Sequence, residues 1–424
     1  MIALLSTDSY QTIGDRVEAS ARGAVPTPLL LVLALLASVA PFGIDLYLPA
    51  FPRMAADLAT SDTAIQLTLT MFLLGLAAGQ LVFGPVSDRW GRRGPLLAGS
   101  AVFVLASVLA ATAPTIAVLL VARLFQGLSA AAGMVIGRAV IADLASGRTA
   151  ARAFSLMMTV SGVAPVVAPL LGSLLIDGIQ WRGVLFVLVG LAVAMLAGSA
   201  AVVRESHPRE LRNAARGGGF RVLGRRAFLT ATATFVFSFA VLMAYISASP
   251  FLYQVVIGMS AVSYGLLFGL NALGLIASSA VAARLLRRGN PRRVLATGVT
   301  WLLTAAAVLL VLALLPIAPV WLSVPIFFAV ASLGFVLGPA TALALGSVPE
   351  AAGTGSAVLG AAQFGLGAAV SPLVSAGEGH SALPMAITIA VLAAIAAGAC
   401  RVLVGSSRDV EAGLPEERLR TVRS

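Results

Sequence analysis

Apolar stretches of about twenty residues recur along the whole chain, each long enough to cross roughly 30 Å of hydrocarbon as a helix. They lie near residues 28–50, 65–87, 95–112, 115–137, 152–176 and 183–203, and again near 227–250, 261–283, 294–314, 319–342, 352–374 and 382–401. In lipid a spanning segment must satisfy its own backbone N–H and C=O groups, which makes runs of this length helices. Composition agrees: 59% of the 424 residues are hydrophobic, 11% are charged and mean hydropathy is +1.00, against about 45–50% apolar and about 25% charged in soluble domains. The expected fold is an all-α polytopic membrane protein of twelve transmembrane helices in two six-helix halves, 28–203 and 227–401. A central loop, 204–226, joins the halves, and tails occupy 1–27 and 402–424. The first run is too long for a signal-peptide core and is followed at once by another span, so it reads as retained.

All 28 basic residues are arginine. Without lysine the chain has no GxxxxGK[ST] phosphate loop, so any pumping draws on a gradient or a partner. Twenty-five arginines fall in the segments that share one side, namely both tails, the central loop and the even-numbered turns. Only Arg53 and Arg182 fall on the other side, and Arg123 lies inside the fourth span. By the positive-inside rule this bias places both termini and the central loop in the cytoplasm. It also accounts for the pI of about 11.3 through topology and anionic lipid, with no nucleic acid needed. Cys400, His207 and His380 stand apart in the sequence, so neither a metal site nor a disulfide is expected.

Among 17 acidic residues, only Asp45, in GIDLYLPAFP (43–52), is placed within hydrocarbon by these boundaries. An intramembrane carboxylate is costly, and it faces a cavity, pairs with a base or takes up a proton. The plainer alternative is a residue near the interface that serves the helix end before Pro49 and Pro52. Counting residues from the span ends puts Asp45 and Arg123 at depths that differ by roughly 5 Å at 1.5 Å per residue. A shared cavity is the expectation, either as a proton-exchanging couple or as a static ion pair.

Two further stretches carry pattern. In GPVSDRWGRRGP (84–95), Asp88 and Arg89 close a helix, Gly91 permits a sharp turn, and Arg92 and Arg93 follow it; charges this dense can lock one helix arrangement and release it in another. In GVAPVVAPLLGSLL (162–175), Gly162, Pro165, Pro169 and Gly172 form a helix-contact and bending element. GRRGPLLAG (91–99) and NPRRVLATG (290–298) match at an offset of 199, a trace of two parallel halves.

These stretches resemble known motifs. The 84–95 loop resembles the signature loop of the major facilitator superfamily, and RLFQGLSAAAG (123–133) resembles its fourth-span Arg-x-x-Gln-Gly motif. The 162–175 stretch is similar to the fifth-span motif of drug:proton antiporters, with Ala164-Pro165 and Ala168-Pro169 where Gly-Pro is usual. IDLYLPAFP, AYISASPFLYQ (244–254) and GLLFGLNALGL (265–275) resemble the first, seventh and eighth spans of the Bcr/CflA group of drug exporters. The resemblance implies the major facilitator fold, with Asp45 and Arg123 in proton coupling. It implies a conformational lock of Asp88 and Arg92, with Asp143 as partner of Arg92. At the 199 offset Asp88 falls on Arg287, Gly91 on Asn290 and Asp45 on Ala244, so the second half is expected to lack these devices.

The functional expectation is proton-coupled efflux of a small-molecule drug across the bacterial inner membrane by a monomer that uses no cofactor and is not an enzyme. The resemblance suggests bicyclomycin-, chloramphenicol- or sulfonamide-type substrates. A uniporter or importer of a small neutral metabolite in the same superfamily is the alternative. Tyr47, Gln126, Tyr245, Asn271 and Gln363 are polar or amphipathic groups inside apolar spans. They read either as substrate contacts between the halves or as helix–helix hydrogen bonds. Few charges lie near the site, which points to a ligand that is neutral or weakly charged and partly apolar.

Overall fold

Side-chain oxygens placed before the apolar runs open many of the helices. In a computed structural model describing residues 26–207, 223–287, 289–374 and 381–412, Ser61, Thr115, Ser260 and Asn290 each accept a backbone N–H two or three residues on. Each thereby satisfies one of the donors a helix start leaves free. The first half comprises α1 (Thr27–Asp45), a 3-10 turn (Leu48–Ala50), α2 (Phe51–Asp57), α3 (Asp62–Trp90), α4 (Arg93–Ala111), α5 (Ile116–Leu144) and α6 (Gly147–Val202). The second comprises α7 (Arg226–Phe251), α8 (Ala261–Leu286), α9 (Pro291–Leu314), α10 (Ser323–Ser332), α11 (Leu337–Gly346), α12 (Ala352–Val374) and α13 (Leu383–Ala412).

Eleven helical segments among the described residues have the length and hydropathy of a span. One of them, Arg152–Val202, is too long for a single crossing, since its 51 residues would measure about 76 Å at 1.5 Å per residue. It breaks at Gln180, whose φ of 58° and ψ of 178° are not helical, and so supplies two spans. Twelve spans result, six before the central loop and six after it. The last helix continues past Arg401 to Ala412, further than hydropathy alone indicated. Residues 1–25, 208–222 and 413–424 of the tails and central loop, with His380, lie outside the described residues.

The two arginines at the face opposite the arginine-rich one are each matched by an acid. Arg53 pairs with Asp177 and donates to the Ile176 carbonyl at 3.1 Å, while Arg182 pairs with Asp57, which also accepts from the Trp181 indole at 2.9 Å. Both pairs tie α2 to α6, so that end of the first half is stapled to itself.

The halves meet along α3 with α12 and along α6 with α8. Gly367 of α12 lies against Leu73, Gly265 of α8 against Ser173, and Ser371 of α12 donates to the Gln66 carbonyl of α3 at 3.5 Å. Phe51 and Phe251, one from each half, approach to 6.0 Å between ring centroids near the face opposite the arginine-rich one.

Candidate functional site

Pro41 interrupts α1 and, having no N–H, leaves the Ala37 carbonyl without its helical partner; Ser161 of α6 donates to that oxygen at 3.3 Å. Four residues later α1 ends at Asp45. The close approach of α6 to this end depends on Gly172, where an added Cβ would lie 1.9 Å from the Leu46 carbonyl oxygen. Gly162 has no such neighbour, so of the two glycines in this stretch only Gly172 is a helix contact. Pro165 faces the central cavity.

That cavity, about 270 Å³, lies between the halves. Asp45 and Pro41 of α1, Met134 of α5 and Pro165 of α6 form one wall, and Tyr245, Phe268, Gln363 and Phe364 form the other. Tyr245 stacks on Phe268 at 5.5 Å, and Phe239 meets Phe364 edge-on at 5.5 Å. Asp45 is only 2% exposed and its Oδ1 has no hydrogen-bond partner. A larger groove of about 700 Å³ beside Trp301 and Trp321 belongs to the second half alone and has almost no polar lining. The Asp45 cavity combines apolar walls with a few convergent polar groups, the usual make-up of a ligand site.

Arg123 takes a course that depth counting did not foresee. It is fully buried, and its Nη2 donates to the carbonyl of Gly43 at 2.7 Å. Nη1 donates to Gln126 Oε1, and Gln126 in turn donates to Ser107 at 2.8 Å. The rings of Tyr47 and Phe72 flank the guanidinium at 4.2 and 4.4 Å. Two aromatic faces and the negative end of a helix replace the missing anion. No ion pair joins Arg123 to Asp45, and the two do not share a cavity wall.

The polar residues inside the spans divide accordingly. Tyr245 and Gln363 line the cavity. Asn271 supports it from behind, donating to the Tyr245 hydroxyl at 2.7 Å. Tyr47, bonded to Thr68 at 3.0 Å, and Gln126 belong to the Arg123 cluster and not to the cavity lining.

At the arginine-rich face, the helix α3 ends at Gly91, whose φ of 93° suits glycine. The turn directs the Arg92 side chain back onto two acids. Its guanidinium donates to Asp88, to Ser87 Oγ at 3.0 Å and to Asp143 Oδ2 at 2.9 Å. Burial works against this cation, but its bonds to Asp143 and then Asp88 outweigh that and raise its pKa above the ordinary arginine value. Arg89 is exposed and joins none of these bonds.

Glu205, which the sequence reading passed over, completes the cluster. Its carboxylate accepts from the backbone N–H groups of Arg92 at 2.8 Å and Arg93 at 3.3 Å, capping the start of α4 from the end of α6. In the second half the equivalent start, α9, is capped locally by Asn290, which accepts from Arg292 N at 2.9 Å. The described charge pair at that end of the second half is Arg225 with Glu350, on different elements.

The Major Facilitator Superfamily profile matches residues 33–372. The chain is 36% identical over 374 residues to the uncharacterized MFS-type transporter YdgK of Bacillus subtilis, covering 87% of this chain and 93% of that one. It is 32% identical to the multidrug resistance protein MdtL of Klebsiella pneumoniae (87% and 93% covered), and 29% identical to a bicyclomycin resistance protein homolog of Haemophilus influenzae (88% and 93% covered). Its fold superposes on the D-xylose-proton symporter with a TM-score of 0.74 at 14% identity, over 89% of this chain and 96% of that one. The chain is a multi-pass membrane transporter of the major facilitator superfamily.

Proposed function

We propose that this transporter exports small, partly apolar drug molecules across the bacterial inner membrane in exchange for protons, with both termini in the cytoplasm. The observation that carries the reading is Asp45, buried in the wall of the inter-half cavity with Oδ1 lacking a donor. An ionised carboxylate in that setting lacks the compensation it needs, so a proton or a ligand donor completes the site. Relatives named for multidrug and bicyclomycin resistance support the choice of cargo.

In this mechanism Asp45 takes a proton from outside, the halves rock about the cavity, and proton release inward is exchanged for drug moved outward. The Asp88–Arg92–Asp143 cluster, with Glu205, holds one arrangement of the cytoplasmic ends and lets go in the other. Tyr245, Gln363 and Phe364 contact the drug, and Asn271 orients Tyr245.

The test is reconstitution with an imposed proton gradient. Asp45→Asn is expected to insert and fold as the parent does and to lose gradient-driven export and drug-stimulated proton movement. Full export by that variant overturns the mechanism; drug movement without any proton movement in the parent protein favours a uniporter instead.

A further inference from the structure

Arg138 is a cation within α5 that neither the fold nor the proposed proton exchange uses. The helix α5 runs on to Leu144, so Arg138 lies inside a membrane-length segment and not in the loop after it. Its side chain is half-buried, and its Nε donates to the Met134 carbonyl one turn back at 2.9 Å. Among the described residues no carboxylate lies within ion-pair distance of it. The other two arginines enclosed by the first half are compensated, Arg92 by Asp88 and Asp143 and Arg123 by two rings and a carbonyl.

Met134 lines the central cavity, and residues four apart on a helix share a face. Arg138 therefore lies one turn beyond the cavity lining, toward the arginine-rich face. Asp45 is at the far end, because Arg123, whose guanidinium is bonded beside it at Gly43, precedes Arg138 by about 22 Å of helix at 1.5 Å per residue. An apolar chamber thus has a carboxylate at one end and, one helical turn beyond the other, a guanidinium with most of its five donors uncommitted. A guanidinium fork matches the paired oxygens of a carboxylate or sulfonate, and in a low-dielectric setting it repels a cation.

We infer that Arg138 selects amphipathic acids: the apolar body of the substrate occupies the cavity, its carboxylate or sulfonate rests on Arg138, and lipophilic cations are disfavoured. The inference rests on the cavity being the transport path, as proposed above. With the acid held at the opposite end from Asp45, substrate binding and proton binding do not compete for one charge.

The experiment compares two fluorescent probes with one apolar body, anilinonaphthalene sulfonate and its neutral parent N-phenylnaphthylamine, binding to the purified full chain. Arg138→Gln is expected to weaken the sulfonate about tenfold, the size of a lost charge-assisted hydrogen bond, and to leave the neutral probe within about twofold. Arg138→Lys, which keeps the charge but not the fork, is expected to show a smaller loss confined to the sulfonate, and it serves if the glutamine variant does not fold. An equal loss for both probes, or no loss for either, overturns the inference. Gradient-driven export of the neutral probe is read separately. Its absence alongside intact discrimination sinks the exchange mechanism and leaves the selectivity of Arg138 standing.

Discussion

The guanidinium of Arg123 bonds the carbonyl of Gly43 at 2.7 Å, two residues short of Asp45. That carbonyl is among the last of α1 and has no helical donor of its own, so the arginine closes the helix end. Arg123→Ala strips a partner from both Gly43 and Gln126, and a loss of about 1–3 kcal/mol per orphaned buried group is expected. Arg123→Lys should fail to rescue, because an ammonium does not reproduce the planar contact with Tyr47 and Phe72. Thermal unfolding in detergent measures both; a lysine variant as stable as the parent contradicts this account.

In the charge cluster Asp143 should matter more than Asp88. The Asp143 side chain is 18% exposed against 49% for Asp88, and both bond an Arg92 side chain that is 8% exposed. Double-mutant cycles are expected to give a coupling of about 1.5–3 kcal/mol for Arg92 with Asp143 and about 0–1 kcal/mol for Arg92 with Asp88. Equal couplings would show that burial does not rank the two.

Glu205→Gln keeps the shape of the α4 cap but removes its charge, and a cost of about 0.5–2 kcal/mol is expected, as for other helix caps. Glu205→Ala should cost more than Asn290→Ala, since Glu205 spans two N–H groups and joins distant segments while Asn290 serves one. Midpoints of thermal unfolding rank the variants.

Two glycines of one motif should behave oppositely. Gly172→Ala forces a methyl against the Leu46 carbonyl, and overpacking of about 1–3 kcal/mol is expected along with reduced export; Gly162→Ala has open space and should be neutral. Expression level and export of the pair decide the point, and a damaging Gly162→Ala would mean that the contact face is misassigned.

Cavity and cluster should also separate by phenotype. Gln363→Leu is expected to change which drugs are carried, with gradient dependence intact. Tyr47→Phe removes the hydroxyl bonded to Thr68, which costs about 1 kcal/mol, and should leave the drug profile unchanged. Resistance panels in a pump-deficient host read both.

Hydropathy made the spans legible because lipid imposes the same length on every one of them. The loop cluster was legible too, since Gly91, Arg92 and Asp88 are close in sequence and their spacing carries the turn. Three features were not. Depth counting placed Asp45 near Arg123 but says nothing of the direction a side chain takes around its helix, and that direction assigned Arg123 to Gly43. Glu205 acts across more than a hundred residues of chain, where no local pattern signals it. Hydropathy puts Arg138 in a loop because a charged residue ends the window, although α5 itself continues to Leu144.

The bond from Arg123 to the end of α1 also determines which part of the machine travels. With Gly43 held by α5, Ala37 by Ser161 and Leu46 against Gly172, the segment bearing Asp45 is anchored at three points to its own half. The carboxylate is then a stationary contact, like a fixed electrode. In the proposed exchange, the opposite wall of Tyr245, Gln363 and Phe364 is the shutter that passes across it, exposing it first to one aqueous phase and then to the other.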